Sequence, residues 1–178
     1  MKIVKILVLA SAVTALFFMT GCDQFEDFSV NVPFTVVMTD SSYSTTITSS
    51  EIFDLDSSSV YQEYKDKIKD FKFMEAKYTV TYAEPADLAG KIRITMKKNS
   101  AAGEVLFVKE YDYSQADFDQ SFTVVLTQEE ISLFNIFLAS AGTKIFYGEA
   151  YMYDLPDNTD KKKMTVKIHL LLKAEGEL

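Results

Sequence analysis

The stretch MTVKIHLLL, residues 164–172, alternates more regularly than any other part of the chain. Apolar side chains occupy every second position from Met164 to Leu172, and polar side chains stand between them as far as His169. A period of two is typical of a β-strand with one buried and one solvated face. Such a strand is stable only as part of a larger sheet, so this stretch predicts a mainly β protein with a packed core.

The same period recurs upstream. Strands are predicted at residues 30–39, 44–55, 71–82, 92–96, 105–111, 118–126 and 145–153, with an eighth at 164–172. The first contains Pro33, which has no backbone N–H to donate to a ladder. The first strand is therefore expected at the edge of a sheet.

Two stretches have helical periodicity. Residues 58–70 carry an apolar stripe at Val60, Tyr61, Tyr64 and Ile68, which predicts an amphipathic helix. Thr127-Gln128-Glu129-Glu130 has the pattern of a capping box and precedes an apolar segment that ends at Gly142, which predicts a second helix.

The order strand, strand, helix, strand, strand occurs twice, and the two halves align at an offset of 71 residues with few identities. About eight strands with single buried faces and two helices predict a two-sheet antiparallel β-sandwich, in which each helix closes an end or an edge. A half-open β-barrel is the alternative.

The N-terminus has the features of an export signal. Lys2 and Lys5 form a short basic region, and an apolar run extends to Met19, as in secretory signal peptides. The run ends in Met19-Thr20-Gly21-Cys22, which resembles the lipobox of bacterial lipoproteins. The resemblance implies cleavage before Cys22, diacylation of its thiol and attachment to a membrane. An ordinary signal peptide that ends near a cysteine is the alternative.

These features predict three segments: a cleaved signal peptide at 1–21, the acylated Cys22 with a tether at 22–29, and one domain at 30–178. Cys22 is the only cysteine, so no intrachain disulfide can form. We expect the protein in a bacterial cell envelope, anchored to the outer membrane rather than the inner, although Asp23 after the cysteine favours inner-membrane retention in enteric lipoproteins.

Charge narrows the choice of partners. Cleavage removes two of the 18 basic residues and no acidic one, so the net charge changes from −8 to −10. Nucleic acids and anionic lipids favour basic surfaces, so nucleic acid is excluded as a partner. Cations or basic proteins fit better, and no cofactor is expected.

Catalytic and metal-binding motifs are weak. His169 is the only histidine; it lies on the polar face of its strand, and neither a nucleophile elbow nor a zinc ligand set accompanies it. Asp154, Asp157, Asn158 and Asp160 supply hard oxygen ligands suited to calcium, but their spacing matches no EF-hand. We expect a solvated hairpin turn there.

Five tyrosines are the remaining candidates for binding. They alternate along two predicted strands, as Tyr111, Tyr113, Tyr147, Tyr151 and Tyr153. Together they could form a ladder that recognises a protein or glycan. The alternative is that they are tyrosines at the rim of the core.

The sequence thus favours a membrane-anchored binding or scaffolding module without enzymatic activity. Its partners would be the membrane, through the acyl anchor, and another envelope protein. Two alternatives remain: a carrier that holds a small apolar ligand such as a lipid between the sheets, and an envelope hydrolase that uses His169 or paired carboxylates.

Overall fold

The structure is a computed structural model that describes residues 27–177. The predicted signal peptide, the lipobox and the acylation site Cys22 lie outside the described residues. The strands are β1 (Asp27–Ser42), β2 (Ile47–Asp54), β3 (Ile68–Glu84), β4 (Gly90–Lys98), β5 (Val105–Tyr113), β6 (Ser121–Thr123), β7 (Ile145–Tyr153) and β8 (Lys162–Glu177). The helices are α1 (Ser59–Tyr64) and α2 (Gln128–Ala139).

The strands form two four-stranded antiparallel sheets, in the orders β1-β8-β3-β6 and β2-β7-β4-β5. We call them the β8 sheet and the β7 sheet. The predicted sandwich is confirmed. The half-open barrel is not observed, since the strands of residues 27–177 divide into two separate sheets. Every connection between successive strands changes sheet except β4–β5, which gives the jelly-roll arrangement of interlocked Greek keys.

β8 is a central strand and builds one wall of the core. Its alternating residues Met164, Val166, Ile168 and Leu172 are fully buried, as their period of two predicts. β1 pairs along one side of it and β3 along the other. β1 is an edge strand, which confirms the expectation from Pro33.

The repeated order of elements has a counterpart in the strand order. Advancing each strand number by four converts β2-β7-β4-β5 into β6-β3-β8-β1, which is the β8 sheet read in reverse. The residue-level alignment at offset 71 fails in two places. Buried Ile47 of β2 falls on Phe118, which is exposed and precedes β6, and the second failure joins β3 with β7. Val80 is buried, whereas Tyr151, its predicted equivalent, lies on the outer side of β7, and β3 has a register shift between Val80 and Tyr82.

α1 is shorter than the predicted helix at 58–70. It begins after Ser58, whose hydroxyl accepts a hydrogen bond from Tyr61 N at 3.3 Å, and it ends at Tyr64. Ile68 fits the helical stripe by spacing but belongs to β3, where it pairs with Gly176 of β8. Pairing with a long central strand outweighs weak helical propensity here. β1 is longer than predicted and includes residues 27–29 of the expected tether.

α2 begins with the predicted capping box. Thr127 Oγ1 accepts a hydrogen bond from Glu130 N at 3.2 Å, and Glu130 Oε2 accepts one from Thr127 N at 2.7 Å. These two bonds satisfy N–H groups that the first helical turn leaves free. The helix therefore begins where the sequence predicts.

α2 closes one open edge of the sandwich. β6 pairs with only three residues of β3, and Asn135 of α2 accepts a hydrogen bond at 2.8 Å from Phe73 N further along β3. The Phe134 ring lies 4.8 Å from Phe73 in the β8 sheet and 6.0 Å from Phe107 in the β7 sheet. The helix thus covers the part of the β3 edge that β6 does not pair with, and it fills the gap between the sheets.

The sandwich has two distinct ends. β1 and β8 pair from Asp27 opposite Glu177 to Ser42 opposite Lys162. Asp27 defines the N-terminal end, where α1 also lies next to the start of β3. The opposite end, here called the loop end, consists of the connections 43–46, 85–89, 114–120 and 154–161. The 16 residues of β1 separate the two ends by about 50 Å.

Candidate binding surface

The five candidate tyrosines do not form one ladder. On β7 the residues Phe146, Gly148, Ala150 and Met152 face the core, which places Tyr147, Tyr151 and Tyr153 on the outer side of the β7 sheet. Tyr111 and Tyr113 of β5 lie on the inner side. The prediction of a single ladder is therefore wrong, because β5 and β7 present their tyrosines to opposite faces.

The inner tyrosines lie near the loop end and pack on the hydrophobic core. Tyr111 lies 4.7 Å from the ring of Tyr78, and Tyr113 is 3% exposed. Burial, with a smaller effect of Asp117, raises the pKa of the Tyr113 hydroxyl. This hydroxyl has no hydrogen-bond partner among residues 27–177. Tyr113 is therefore buried in the core, and Tyr111 is a partly buried residue packed against it.

The outer tyrosines surround the only arginine of the chain, Arg93 on β4. The rings of Tyr151 and Tyr153 stack at a centroid distance of 5.3 Å and an angle of 15°. The Arg93 guanidinium carbon lies 5.8 Å from the first centroid and 5.4 Å from the second. Its Nε and Nη2 donate to Glu110 Oε2 at 3.2 and 3.0 Å. Cation–π contacts and the ion pair hold the group in one arrangement.

Arg93, Glu110 and Tyr153 shift one another's pKa values. Interactions with Tyr153 and with Arg93 hold the pKa of Glu110 below its usual range. Glu110 in turn raises the pKa of Arg93 and that of the Tyr153 hydroxyl. At neutral pH the guanidinium and the carboxylate are therefore charged, and the tyrosine is neutral.

Aliphatic side chains extend the group across the sheet. Ile52 of β2, opposite Tyr147, is 55% exposed, and Val108 of β5 is 44% exposed. Lys97 Nζ lies 5.6 Å from the Tyr147 ring. We define the tyrosine face as the outer side of the β7 sheet formed by Ile52, Arg93, Val108, Tyr147, Tyr151 and Tyr153.

The loop end next to this face is acidic. Its four connections contain six aspartates and one lysine, namely Asp87, Asp117, Asp119, Asp154, Asp157, Asp160 and Lys161. β7 leads directly from Tyr153 into Asp154. The aromatic surface and the acidic end are therefore continuous.

The candidate calcium loop is a crossing between sheets and not a hairpin. β7 and β8 lie in different sheets, so the expected hairpin turn is wrong, although local turn bonds such as Asp160 N to Asn158 Oδ1 at 3.3 Å are present. Lys162 is fully buried, and its Nζ lies 3.5 Å from Asn158 O and 3.4 Å from Asp160 O. Two carbonyls of the loop thus face a lysine ammonium. No three His, Cys, Asp or Glu side chains within 27–177 are grouped as metal ligands.

His169 lies on the outer side of the β8 sheet, as predicted. Its Nδ1 is 2.8 Å from Thr35 Oγ1. Partial burial, followed by the charges of Lys167 and Lys77, lowers its pKa, so the imidazole is neutral at neutral pH. Within the described part of the chain, no carboxylate forms a hydrogen bond with it, so no catalytic triad is assembled there.

Large aromatic side chains fill the space between the sheets. Phe34 stacks on Phe53 at 4.1 Å and lies 5.3 Å from Phe146, which in turn contacts Phe137 edge-on at 5.2 Å. On the surface, an open depression of about 380 Å³ runs beside α2, lined partly by Ile131 and Ile136. No helix within 27–177 is long and apolar enough to cross a membrane.

Comparison with known proteins yields fold likeness alone. No family model and no curated protein matches the chain. Among solved structures, desmodium yellow mottle tymovirus aligns at 12% identity and a TM-score of 0.43, over 86% of this chain and 90% of its own. Turnip yellow mosaic virus aligns at 7% and 0.43, over 86% and 83%. A decameric BFDV capsid protein aligns at 14% and 0.45, over 84% and 99%. At these scores and identities the likeness carries no information on function.

Proposed function

We propose that this protein is a bacterial envelope lipoprotein, anchored through acylated Cys22, which acts as a binding or scaffolding module for another envelope protein. The observation that carries the proposal is the opposition of the two ends of the sandwich. The chain enters at Asp27, next to the anchor in sequence, and the loop end lies about 50 Å away along β1. A tether at one end would leave the loops and the tyrosine face accessible to a partner.

Catalysis is not part of the proposal. The histidine interacts with Thr35 alone among the hydrogen-bonding groups of residues 27–177, and the candidate carboxylates lie on exposed loops. The carrier alternative also lacks support, since the aromatic residues that would line a ligand cavity pack against one another.

The anchor can be tested by labelling cells that express the full chain with an alkyne fatty acid. We expect the wild type and a control variant, Ser29→Ala, to incorporate the label, and Cys22→Ala to lose it, since the thiol is the acceptor. Intact-mass measurement should give a mature chain that begins at Cys22. An unlabelled wild type, or a labelled Cys22→Ala variant, would refute the lipoprotein assignment.

The binding role can be tested by placing a photoreactive benzoylphenylalanine at Asp157, on the loop end, and at Glu63, on α1. Irradiation of intact cells should give a defined protein adduct from Asp157 and none from Glu63. The absence of any adduct from the loop end and from the tyrosine face would argue against a binding module.

A further inference from the structure

We propose that the tyrosine face is the docking surface for a basic protein partner. This inference rests on the proposed function, because it identifies the surface and the partner chemistry of the same binding module. It concerns the outer side of the β7 sheet, as distinct from the outer side of the β8 sheet.

Composition distinguishes the two outer faces. Tyrosine and arginine are the residue types most enriched at energetically important interface positions, and the only arginine lies against Tyr151 and Tyr153. Around His169 the β8 sheet instead presents Thr35, Lys77 and Lys167. Lysines occur on both outer faces, since Lys91 and Lys97 of β4 lie on the same side as Arg93. The β7 sheet is the better docking surface because it alone combines the arginine with two stacked tyrosines.

The arrangement is also ordered before a partner binds. Arg93 is held by two hydrogen bonds to Glu110 and by both tyrosine rings, and tyrosine has few rotatable bonds to immobilise. Less conformational entropy is lost when such a surface is covered than when free lysines are covered. The face is therefore suited to bind without rearrangement.

The area of the face indicates where the partner extends. Four strands spaced by 4.8 Å, with nine residues in β4, β5 and β7, present on the order of 500 Å². A stable interface usually takes about 800 Å² from each protein. The partner must therefore also cover adjacent surface, and the loop end continues directly from Tyr153.

Charge at the loop end specifies the partner. Six aspartates against one lysine attract a surface rich in lysine and arginine and repel an acidic one. The expected partner thus combines basic side chains over the aspartates with an apolar patch over Tyr151 and Tyr153. Nothing in this combination requires a lipid or a glycan.

The test places benzoylphenylalanine in the full chain, in its own cells, at Thr48 or at Thr123. Both are exposed threonines, but Thr48 lies opposite Tyr151 on the tyrosine face and Thr123 lies on β6 in the other sheet. We expect an adduct from Thr48 at least tenfold stronger than from Thr123. The cross-linked partner peptide should lie in a surface with an excess of lysine and arginine.

Two combined variants test the contributions of the tyrosine face and of the aspartates at the loop end. Combined Tyr151→Ala and Tyr153→Ala should reduce the Thr48 adduct at least tenfold, whereas Tyr82→Ala, at an exposed tyrosine of β3, should leave it unchanged. Combined Asp154→Lys and Asp157→Lys should also reduce it. Circular dichroism melts of each variant verify folding.

The outcomes separate this inference from the proposed function. An adduct from Asp157 or Thr123 without one from Thr48 would keep a binding module and overturn the tyrosine face. A Thr48 adduct to an acidic protein, a lipid or a glycan would overturn the basic partner. The absence of adducts at all three positions would overturn both.

Discussion

At the scale of single residues, the side of the sheet on which a tyrosine lies decides its role. Tyr153 stacks on Tyr151 on the outer side of the β7 sheet. Tyr113 is buried, and its hydroxyl has no hydrogen-bond partner among residues 27–177. Both residues end an alternating strand, and the alternation alone does not show which of the two faces is covered. The core packs against the inner side of both sheets, and this assigns the pair Tyr151 and Tyr153 to the surface.

The buried hydroxyl of Tyr113, without a partner in the described part of the chain, leads to a prediction for Tyr113→Phe. A buried polar group without a partner destabilises the fold, so its removal should raise the free energy of unfolding by about 1 kcal/mol. Urea denaturation of both proteins measures the difference. Tyr43→Phe, at a position 69% exposed, should show no change. A loss of stability in Tyr113→Phe would mean that the hydroxyl has a partner in solution.

At the scale of elements, α2 is joined to the sandwich by Glu130. This carboxylate accepts hydrogen bonds from Thr127 N and from Lys109 Nζ of β5, each at 2.7 Å. Burial raises its pKa, but the bonds from Lys109 and Thr127 outweigh burial, and the pKa lies below its ordinary value. The same residue therefore caps the helix and attaches it to the β7 sheet.

The lowered pKa predicts how the contribution of Glu130 depends on pH. A carboxyl group with a depressed folded pKa stabilises the protein above its unfolded pKa, about 4.3, and this stabilisation is lost as the pH falls through the folded pKa. Glu130→Gln should lower the free energy of unfolding by about 1–2 kcal/mol at neutral pH, and by less below pH ~4.

Denaturation of wild type and variant across this pH range measures the effect. Glu104→Gln, whose carboxylate pairs with Lys98 but is 59% exposed, is the matched control and should change little. An equal loss of unfolding free energy in Glu130→Gln at all pH values would contradict an electrostatic origin of the Glu130 contribution.

The loop 154–161 provides a second test at this scale. Lys162 is fully buried beneath it, and none of the ion pairs among residues 27–177 involves it. Burying an ammonium without a charge partner is expensive, so an apolar side chain of similar size should be at least as stable at this position. Lys162→Met should therefore not lower the melting temperature, while hydrogen exchange in the loop should increase because Asn158 and Asp160 lose a donor.

Lys161→Met, one residue earlier and exposed, is the control for Lys162→Met. It should change neither the melting temperature nor the exchange rate. A drop of several degrees in Lys162→Met alone would show that the ammonium organises the loop at a net gain in stability.

At the scale of the whole molecule, the negative charge is unevenly distributed. Six of the 26 acidic residues lie in three connections at the loop end, with one lysine among them. Their mutual repulsion opposes the compact state, and salt screens it.

We expect the melting temperature to rise by about 2–4 °C between low and moderately high ionic strength, which corresponds to about 1 kcal/mol. A variant with Asp87→Asn, Asp154→Asn and Asp157→Asn should show a smaller rise. Differential scanning calorimetry at several salt concentrations measures both, and a melting temperature that falls with salt would contradict the repulsion.

The sequence by itself determined the fold class, most strand positions and the start of α2. These depend on short-range causes, namely the period of two in segments such as 164–172 and the capping box at Thr127. It also indicated the edge position of β1, because Pro33 lacks a donor wherever it lies. The sequence did not determine where α1 ends. Ile68 fits both a helical stripe and a strand, and only its pairing with Gly176 decides between them.

Tertiary structure alone decided the strand order and the composition of the candidate site. Arg93 and Tyr151 are 58 residues apart in sequence and meet because β4 pairs with β7. Tyr111 and Tyr153 both occupy alternating positions of a predicted strand, but they lie on opposite sides of the β7 sheet. Local alternation shows that a strand has two faces, but which face meets the other sheet depends on pairing between distant strands, and that pairing forms only when the whole chain folds.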